Sequence, residues 1–334
     1  MTSNNNPVPL IDIAGLDTDP ARRKEIVATV KKACEEIGFL LIAGHGVSDE
    51  LIAAVDADAK TFFDLPLEQK MAVKRPASGV SRGYFAVGQQ SIAAAMGKEA
   101  PADLLEALTF GPMGRFADPT GDPDDSIHFA PNLWPEIPET LRPHVEEYYA
   151  SMMDLAATIM RIFALALDLD EHYFADKTNR SPSNLRFNHY PEQDKDPEPG
   201  QLRAAEHTDY GTLTILKVDD APGGLEVRDL SGQWHTVGNV PGAFVVNIGD
   251  AMARWTNGQW VSTVHRVVNP PRDAGIGSRR LSVPFFHSAN HNTVIEAIPT
   301  CIVDGEEPAF APVAAGEYWR MKNDASVAHL GRTS

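Results

Sequence analysis

The run His207-Thr208-Asp209-Tyr210-Gly211-Thr212-Leu213-Thr214-Ile215-Leu216-Lys217-Val218 puts two polar side chains at the entrance of a stretch rich in β-branched and aliphatic residues. Residues 211–218 have strand composition, and side chains two apart on a strand share a face, so His207 and Asp209 point the same way. Outward from this run, residues 185–190, 225–227, 234–237, 243–248, 259–268 and 281–286 have the same character, separated by turn signals. Asn257-Gly258 suits a tight hairpin and residues 229–232 a slightly longer one. Before residue 180 the pattern is helical. Helices followed by many short strands indicate an α+β protein whose core is a double-sheet jelly roll, a double-stranded β-helix flanked by helices.

The first third predicts a helical region. Asp19 as cap and Pro20 in the first turn open a helix carrying Ile26, Val27, Val30, Ala33, Cys34 and Ile37 at helical spacing, which Gly38 ends. Residues 39–42 read as a short buried strand. Ser48 can cap a second helix with Leu51, Ile52, Val55 and Phe62 on its apolar side, stopping at Leu65-Pro66. Residues 81–138 are rich in Gly, Pro and Asp and predict loops and short elements. A long helix over about residues 139–167 places Leu141, Val145, Met152, Leu155, Ile159, Ile162 and Phe163 on one stripe.

Composition narrows the functions available. The chain of 334 residues, 43% of them hydrophobic, can bury a large core and reads as one domain over 1–334. Within it, 8–115 is an N-terminal helical and substrate-shaping region, 180–290 the jelly-roll core, and 305–334 a C-terminal segment over the barrel mouth. A formal charge of -17 without a basic run argues against nucleic acid or an anionic membrane as partner. Cys34 and Cys301 are the two cysteines, which suits packed thiols in a reducing compartment, so a cytoplasmic protein is expected. The N-terminus lacks the features of a secretory signal, and no apolar run of membrane-spanning length is expected.

A His-x-acid pair alone is weak: 11 histidines and 46 acids in 334 positions give about one and a half by chance. The other such pair, His144-Val145-Glu146, falls in the long helix, where residues two apart diverge and cannot chelate one ion, so a solvated face is expected there. His207 and Asp209 need a third ligand. His265, in Ser262-Thr263-Val264-His265-Arg266-Val267, can supply it from a distant strand, although a packed histidine is the plainer reading. Two histidines and one carboxylate leave half of an octahedral ion open, the ligand set of mononuclear ferrous oxygenases. Arg280 and Ser282 share one strand face, with Phe286 at the same parity; so do Arg186, Asn188 and Tyr190. Either set is a solvated edge or an inward wall, and inward an arginine can clamp a carboxylate. His45, His189, His235, His287 and His291 are expected at the surface or behind the site.

Together these residues resemble the isopenicillin N synthase-like family of iron- and 2-oxoglutarate-dependent oxygenases. The resemblance runs along nearly the whole chain. It includes Val8-Pro9-Leu10-Ile11-Asp12, Ala33-Cys34-Glu35-Glu36-Ile37-Gly38-Phe39, Gly44-His45-Gly46-Val47, Phe62-Phe63-Asp64-Leu65-Pro66 and Arg186-Phe187-Asn188-His189-Tyr190-Pro191. Downstream it includes Asn247-Ile248-Gly249-Asp250, Trp255-Thr256-Asn257-Gly258 and Arg280-Leu281-Ser282, besides the two histidine segments. It implies that His207, Asp209 and His265 bind Fe(II). It implies that Arg280 and Ser282 bind the distal carboxylate of 2-oxoglutarate, and that Asn188 and Tyr190 line the cosubstrate site. Arg279 competes with Arg280, but only Arg280 has Ser282 at the family spacing. Between His265 and Arg280, Pro270, Pro271, Gly275 and Gly277 suggest an extended hairpin loop.

The implied reaction consumes O2, turns 2-oxoglutarate into succinate and CO2, and oxidises, most simply hydroxylates, an unactivated C–H bond of a small molecule. Ascorbate is the expected reductant in vitro. The substrate pocket is expected near Phe286, residues 81–110 including Tyr84, and the segment after Pro308, with a secondary-metabolite or amino-acid-like substrate. A 2-oxoglutarate-independent oxidase or cyclase of the same fold, and a non-catalytic small-molecule-binding relative, are the alternatives.

Overall fold

The computed structural model describes residues 7–76, 79–97, 101–117, 125–193, 196–271 and 277–327. Strands in chain order are β1 (Leu10–Asp12), β2 (Phe39–Ala43), β3 (Gly83–Phe85), β4 (Glu106–Phe110), β5 (Asn184–Tyr190), β6 (Ala204–His207) and β7 (Leu213–Val218). They continue as β8 (Gly224–Arg228), β9 (Trp234–Thr236), β10 (Ala243–Ile248), β11 (His265–Val268), β12 (Arg280–His287), β13 (Val294–Ile295) and β14 (Val313–Ala314). The helices are α1 (Pro20–Glu36), α2 (Asp49–Phe63), α3 (Leu67–Met71), α4 (Asp125–His128), α5 (Leu141–Ala166), α6 (Ala175–Thr178), α7 (Asp250–Trp255) and α8 (Ala315–Val327).

Local chemistry sets the helix ends. Asp19 accepts the N–H groups of Ala21 and Arg22, with Pro20 in the first turn of α1. Gly38 then reverses the chain at φ 64; a Cβ there would come within 2.0 Å of the Val261 carbonyl oxygen. Ser48 Oγ caps α2 through the Leu51 N–H at 3.2 Å.

The strands form a major sheet in the order β1-β2-β10-β7-β12-β5-β4-β3 and a minor sheet in the order β6-β11-β8-β9, the two layers of the jelly roll. Residues 8–115 are therefore not simply helical: they supply β1 to β4, which extend both edges of the major sheet. Period-two alternation separates its faces. Leu281, Val283 and Phe285 of β12, Leu185 and Phe187 of β5, and Phe244, Val246 and Ile248 of β10 join the core beneath α1, α2 and α5. Burying each such side chain contributes about 1.5–3 kcal/mol. The opposite parity faces the minor sheet. At one end Phe39, Leu41, Val218, Leu225, Val227 and Val245 fill the space between the sheets; elsewhere polar residues leave it open.

Several expectations are revised. All seven stripe residues of α5 are buried. Yet α5 is, among the described residues, a helix apolar and long enough to cross a membrane by composition, where no such run was expected. Tertiary burial accounts for its apolar content. Asn257-Gly258 forms no hairpin: it terminates α7, with Asn257 at φ 54 and Gly258 at φ 81, and Gly258 N–H returning to the Ala253 carbonyl at 2.8 Å. The left-handed geometry that suits a tight turn also suits a helix end. Of residues 259–268, only His265–Val268 is strand. The turn at 229–232 does join β8 to β9, with Arg228 opposite Trp234. The expected loop before Arg280 lies partly outside the described residues.

Candidate active site

Strand order brings the distant histidines together. β6 and β11 are antiparallel neighbours with His207 directly opposite His265, and their ring centroids are 4.2 Å apart. Asp209 sits in the turn between β6 and β7. That turn is held by the start of α7: Asp250 N–H donates to the Asp209 carbonyl at 2.7 Å and Ala251 N–H to that of Gly211 at 3.0 Å.

Each ligand candidate has one polar atom occupied and one free. His207 Nδ1 lies 2.7 Å from the Ala205 carbonyl, and His265 Nδ1 lies 3.0 Å from that of Thr263. A carbonyl only accepts, so both Nδ1 atoms carry the proton and both Nε2 atoms present a lone pair. Asp209 Oδ2 accepts from Thr214 Oγ1 at 2.6 Å and from Asn247 Nδ2 at 2.7 Å. Its Oδ1 is left facing His207 Nε2 at 3.9 Å and His265 Nε2 at 3.8 Å. The three ligand atoms lie within 4.8 Å of one another. Burial, then the second imidazole, pushes His207 down to about 4, so it stays neutral at physiological pH. Burial alone would raise the Asp209 carboxyl, but the two imidazoles and its two hydrogen bonds hold it below the ordinary carboxylate range. A neutral N, N, anionic O set with one open side fits a ferrous ion.

The open side faces a cavity walled by both sheets, including Asn188, Tyr190, Leu225, Val267, Ser282 and Phe286. At its deep end Arg280 pairs in register with Tyr190 and Ser282 with Asn188. Ser282 hydrogen-bonds the Tyr190 hydroxyl. Arg280 does not itself line this chamber; it is buried beside it, its Nη1 3.0 Å from Asp219 Oδ1, and its Nε has no partner. Arg279 takes the other face, donating from Nε to His189 at 2.7 Å and from Nη1 to Asp64 at 2.6 Å. Strand parity thus sends the two arginines to opposite faces, with Arg280 on the face it shares with Ser282.

An outer chamber shares Gln90, Ile92, Arg186, Asp209 and Phe286 with the inner one and is lined further by Tyr210, Trp319 and Asn323. Phe286 and Trp319 of the C-terminal helix thus both line the outer chamber. Tyr84 does not line either chamber. It is buried on the far face of the sheet, its hydroxyl bonded to Glu106 and its ring edge-on to Phe62, so it is a core residue. His189 is also buried, 2.7 Å from Glu106. His287 is buried against Thr212 at 2.7 Å. His235 pairs with Asp229 at 2.6 Å. His144 and Glu146 lie on a partly exposed helical face, their side chains 34% and 42% exposed, His144 meeting Asp58 at 2.7 Å and Glu146 meeting Arg142 at 2.9 Å.

Sequence reasoning missed roles for Thr214 and Asn247 at the Asp209 carboxylate, for Arg203 and for Asp103. Asn247 carried a signal, a lone amide in an otherwise apolar strand. Arg203 lies with its guanidinium 5.8 Å from the Tyr190 ring centroid, where burial and then the charge of Arg280 bring it down to about 10. Nothing local marks it.

A jelly roll holding a His-Asp-His ligand set above a buried arginine defines a mononuclear non-haem oxygenase. Comparison with known proteins agrees: residues 8–137 match the model of the non-haem dioxygenase in morphine synthesis N-terminal family, and residues 181–289 match that of the 2OG-Fe(II) oxygenase superfamily. A 2-oxoglutarate-Fe(II) type oxidoreductase of Emericella nidulans is 35% identical over 318 residues, covering 93% of this chain and 88% of that protein. A homoarginine-6-hydroxylase of Oryza sativa subsp. japonica is 34% identical, with 90% and 91% covered. The crystal structure of a full-length Neurospora crassa protein in complex with alpha-KG and thymine superposes with a TM-score of 0.83 at 30% identity, covering 95% and 96% of the chains. The chain belongs to the isopenicillin N synthase-like 2OG-Fe(II) oxygenase family and is an Fe(II)- and 2-oxoglutarate-dependent dioxygenase.

Proposed function

We propose that His207, Asp209 and His265 hold the Fe(II), that Arg280 and Ser282 receive the distal carboxylate of 2-oxoglutarate beside Tyr190 and Asn188, and that the enzyme hydroxylates a C–H bond of a small molecule. The observation that carries this is the convergence of three buried ligand atoms, each unengaged by the protein while its partner atom is held. The bound iron and cosubstrate supply the oxidising chemistry, with succinate and CO2 as coproducts. The chain's residues do the rest. Ala205 and Thr263 fix the imidazole tautomers; Thr214 and Asn247 fix the carboxylate rotamer. Arg280, with its unpartnered Nε, offers a charge-assisted donor at the closed end. The apolar walls Phe39, Leu216, Leu225 and Val267 exclude water around the ligands.

Supporting a small-molecule substrate, a solved relative holds thymine with alpha-KG and others are named for homoarginine. The strongly acidic charge supports the absence of a nucleic-acid partner. Two buried free thiols, Cys34 and Cys301, favour a reducing cytoplasm. We assign 180–290 to the catalytic core, 8–115 to substrate shaping, and 305–334, of which 328–334 lie outside the described residues, to the cover of the mouth, on the positions of Gln90, Ile92 and Trp319 at the outer chamber. Purified protein given Fe(II), ascorbate, O2 and 2-oxoglutarate should release succinate in step with oxygen uptake, faster when the substrate is added. Oxygen uptake without succinate would instead indicate an oxidase that does not consume the keto acid.

A further inference from the structure

The inward side chains of β5 and β12 form a ladder. Tyr190 faces Arg280, Asn188 faces Ser282, and nearer the mouth Asn184 faces Phe286; Arg186 is the rung between. At about 3.3 Å per residue Arg186 stands about 13 Å along the strand from Tyr190, outside the end assigned to the cosubstrate. It lines both the inner and the outer chamber.

The guanidinium is aimed and held there. Its Nε donates to Asn188 Oδ1 at 2.8 Å, its Nη2 to Gln90 Oε1 at 2.6 Å, and the Phe85 ring lies 5.0 Å beneath it. Both partners are neutral amides. Among the described residues no carboxylate comes within ion-pair distance of Arg186, and its Nη1 has no partner. Asp103 is the nearby acid, but its two oxygens already accept the N–H groups of Ala205 and Ile92, each at 2.9 Å. Burial pushes the Asp103 carboxyl up to about 6, so near neutral pH it is mostly ionised and gives Arg186 a nearby negative charge but no hydrogen bond. Arg186 is thus a half-buried cation in the chamber wall whose neighbouring acid makes no ion pair with it, which leaves its guanidinium able to receive the carboxylate of a bound molecule.

We propose that Arg186 is the specificity-determining anchor of the substrate and that the substrate is a small organic acid whose carboxylate it receives. Ile92, Leu105, Phe286 and Trp319 then enclose the apolar body, and the carbon to be oxidised lies between the anchor and the three ligands. This deepens the proposed function and rests on it.

The test is anaerobic binding to the enzyme loaded with Fe(II) and 2-oxoglutarate, read by displacement of the visible charge-transfer band and by thermal shift. The probes are matched acids and primary amides: phenylacetate and phenylacetamide, cinnamate and cinnamamide, hexanoate and hexanamide. Formation of the coloured complex checks the functional reading separately, before any probe is added. The expected result is at least tenfold tighter binding of acids than of their amides by the native enzyme. That preference should fall to within about twofold in Arg186→Gln and be partly kept in Arg186→Lys. Amides binding as tightly as acids, no acid binding to the preformed complex, or a preference that survives in Arg186→Gln would each overturn the proposal. The native-enzyme comparison stands even where a variant fails to fold.

Discussion

Asp209 has one oxygen held by the protein and the other left facing two imidazoles, and under the proposed function that division is what turns a His-x-Asp pair into a site. Its Oδ2 is taken by Thr214 and Asn247, while Oδ1 faces the imidazoles. The ligand types were legible from His207-Thr208-Asp209, but the expected shared strand face was not what brings them together: His207 ends β6 and Asp209 lies in the turn that follows. The supporting residues were not legible, because they come from other strands and meet Asp209 only through sheet order. The same holds for Arg280: its parity with Ser282 was readable, its pairing with Asp219 was not. A charge-assisted clamp is worth about 1.5–3 kcal/mol, so Arg280→Ala should weaken 2-oxoglutarate binding by about ten- to a hundredfold. Isothermal titration of the iron-loaded protein measures it, and native affinity in the variant would remove Arg280 from this role.

Elements position these side chains with little room to spare. Gly249, just before α7, has an ordinary φ of -98, so conformational freedom is not its purpose. A Cβ there would lie 2.2 Å from the Gly211 carbonyl oxygen, in the turn that carries Asp209. Gly249→Ala should therefore displace the ligand turn and lower iron affinity by at least tenfold, while the far-ultraviolet circular dichroism stays native. Unchanged iron affinity would show that the turn can give way. The helix that follows was not legible. Six residues, Asp250–Trp255, are too few for a periodic signal, and Asn257-Gly258 carries a left-handed preference that hairpins and helix ends both use. By contrast α1 and α2 were readable because caps and apolar stripes agree, α5 because its apolar stripe is long, and β5 and β12 because polar and apolar side chains alternate along them.

For the whole molecule, folding buries polar side chains along with the apolar core, and that burial has a pH cost. His287 is buried with its imidazole held down to about 4 by desolvation. Its ordinary value, kept in the unfolded chain, is 6.5. Between these values the unfolded chain binds the proton and the folded chain does not. Stability is thus complete above about pH 6.5 and is lost as pH falls toward 4, by about 3 kcal/mol for this group. Urea unfolding from pH 7.5 to 4.5 should show that loss, and His287→Gln should flatten the slope; an unchanged slope would assign the acid sensitivity elsewhere. Helices before strands disclosed the architecture in the sequence, but nothing in it disclosed that β1 to β4 would complete the major sheet. The central claim is that His207, Asp209 and His265 meet at one ferrous ion beside the 2-oxoglutarate site. Anaerobic titration of the metal-free protein with Fe(II) in the presence of 2-oxoglutarate tests it most directly. The native protein should develop the visible charge-transfer band with an endpoint of one iron per chain, and Asp209→Ala should not; a native protein without the band, or a variant with the same band and endpoint, would contradict it.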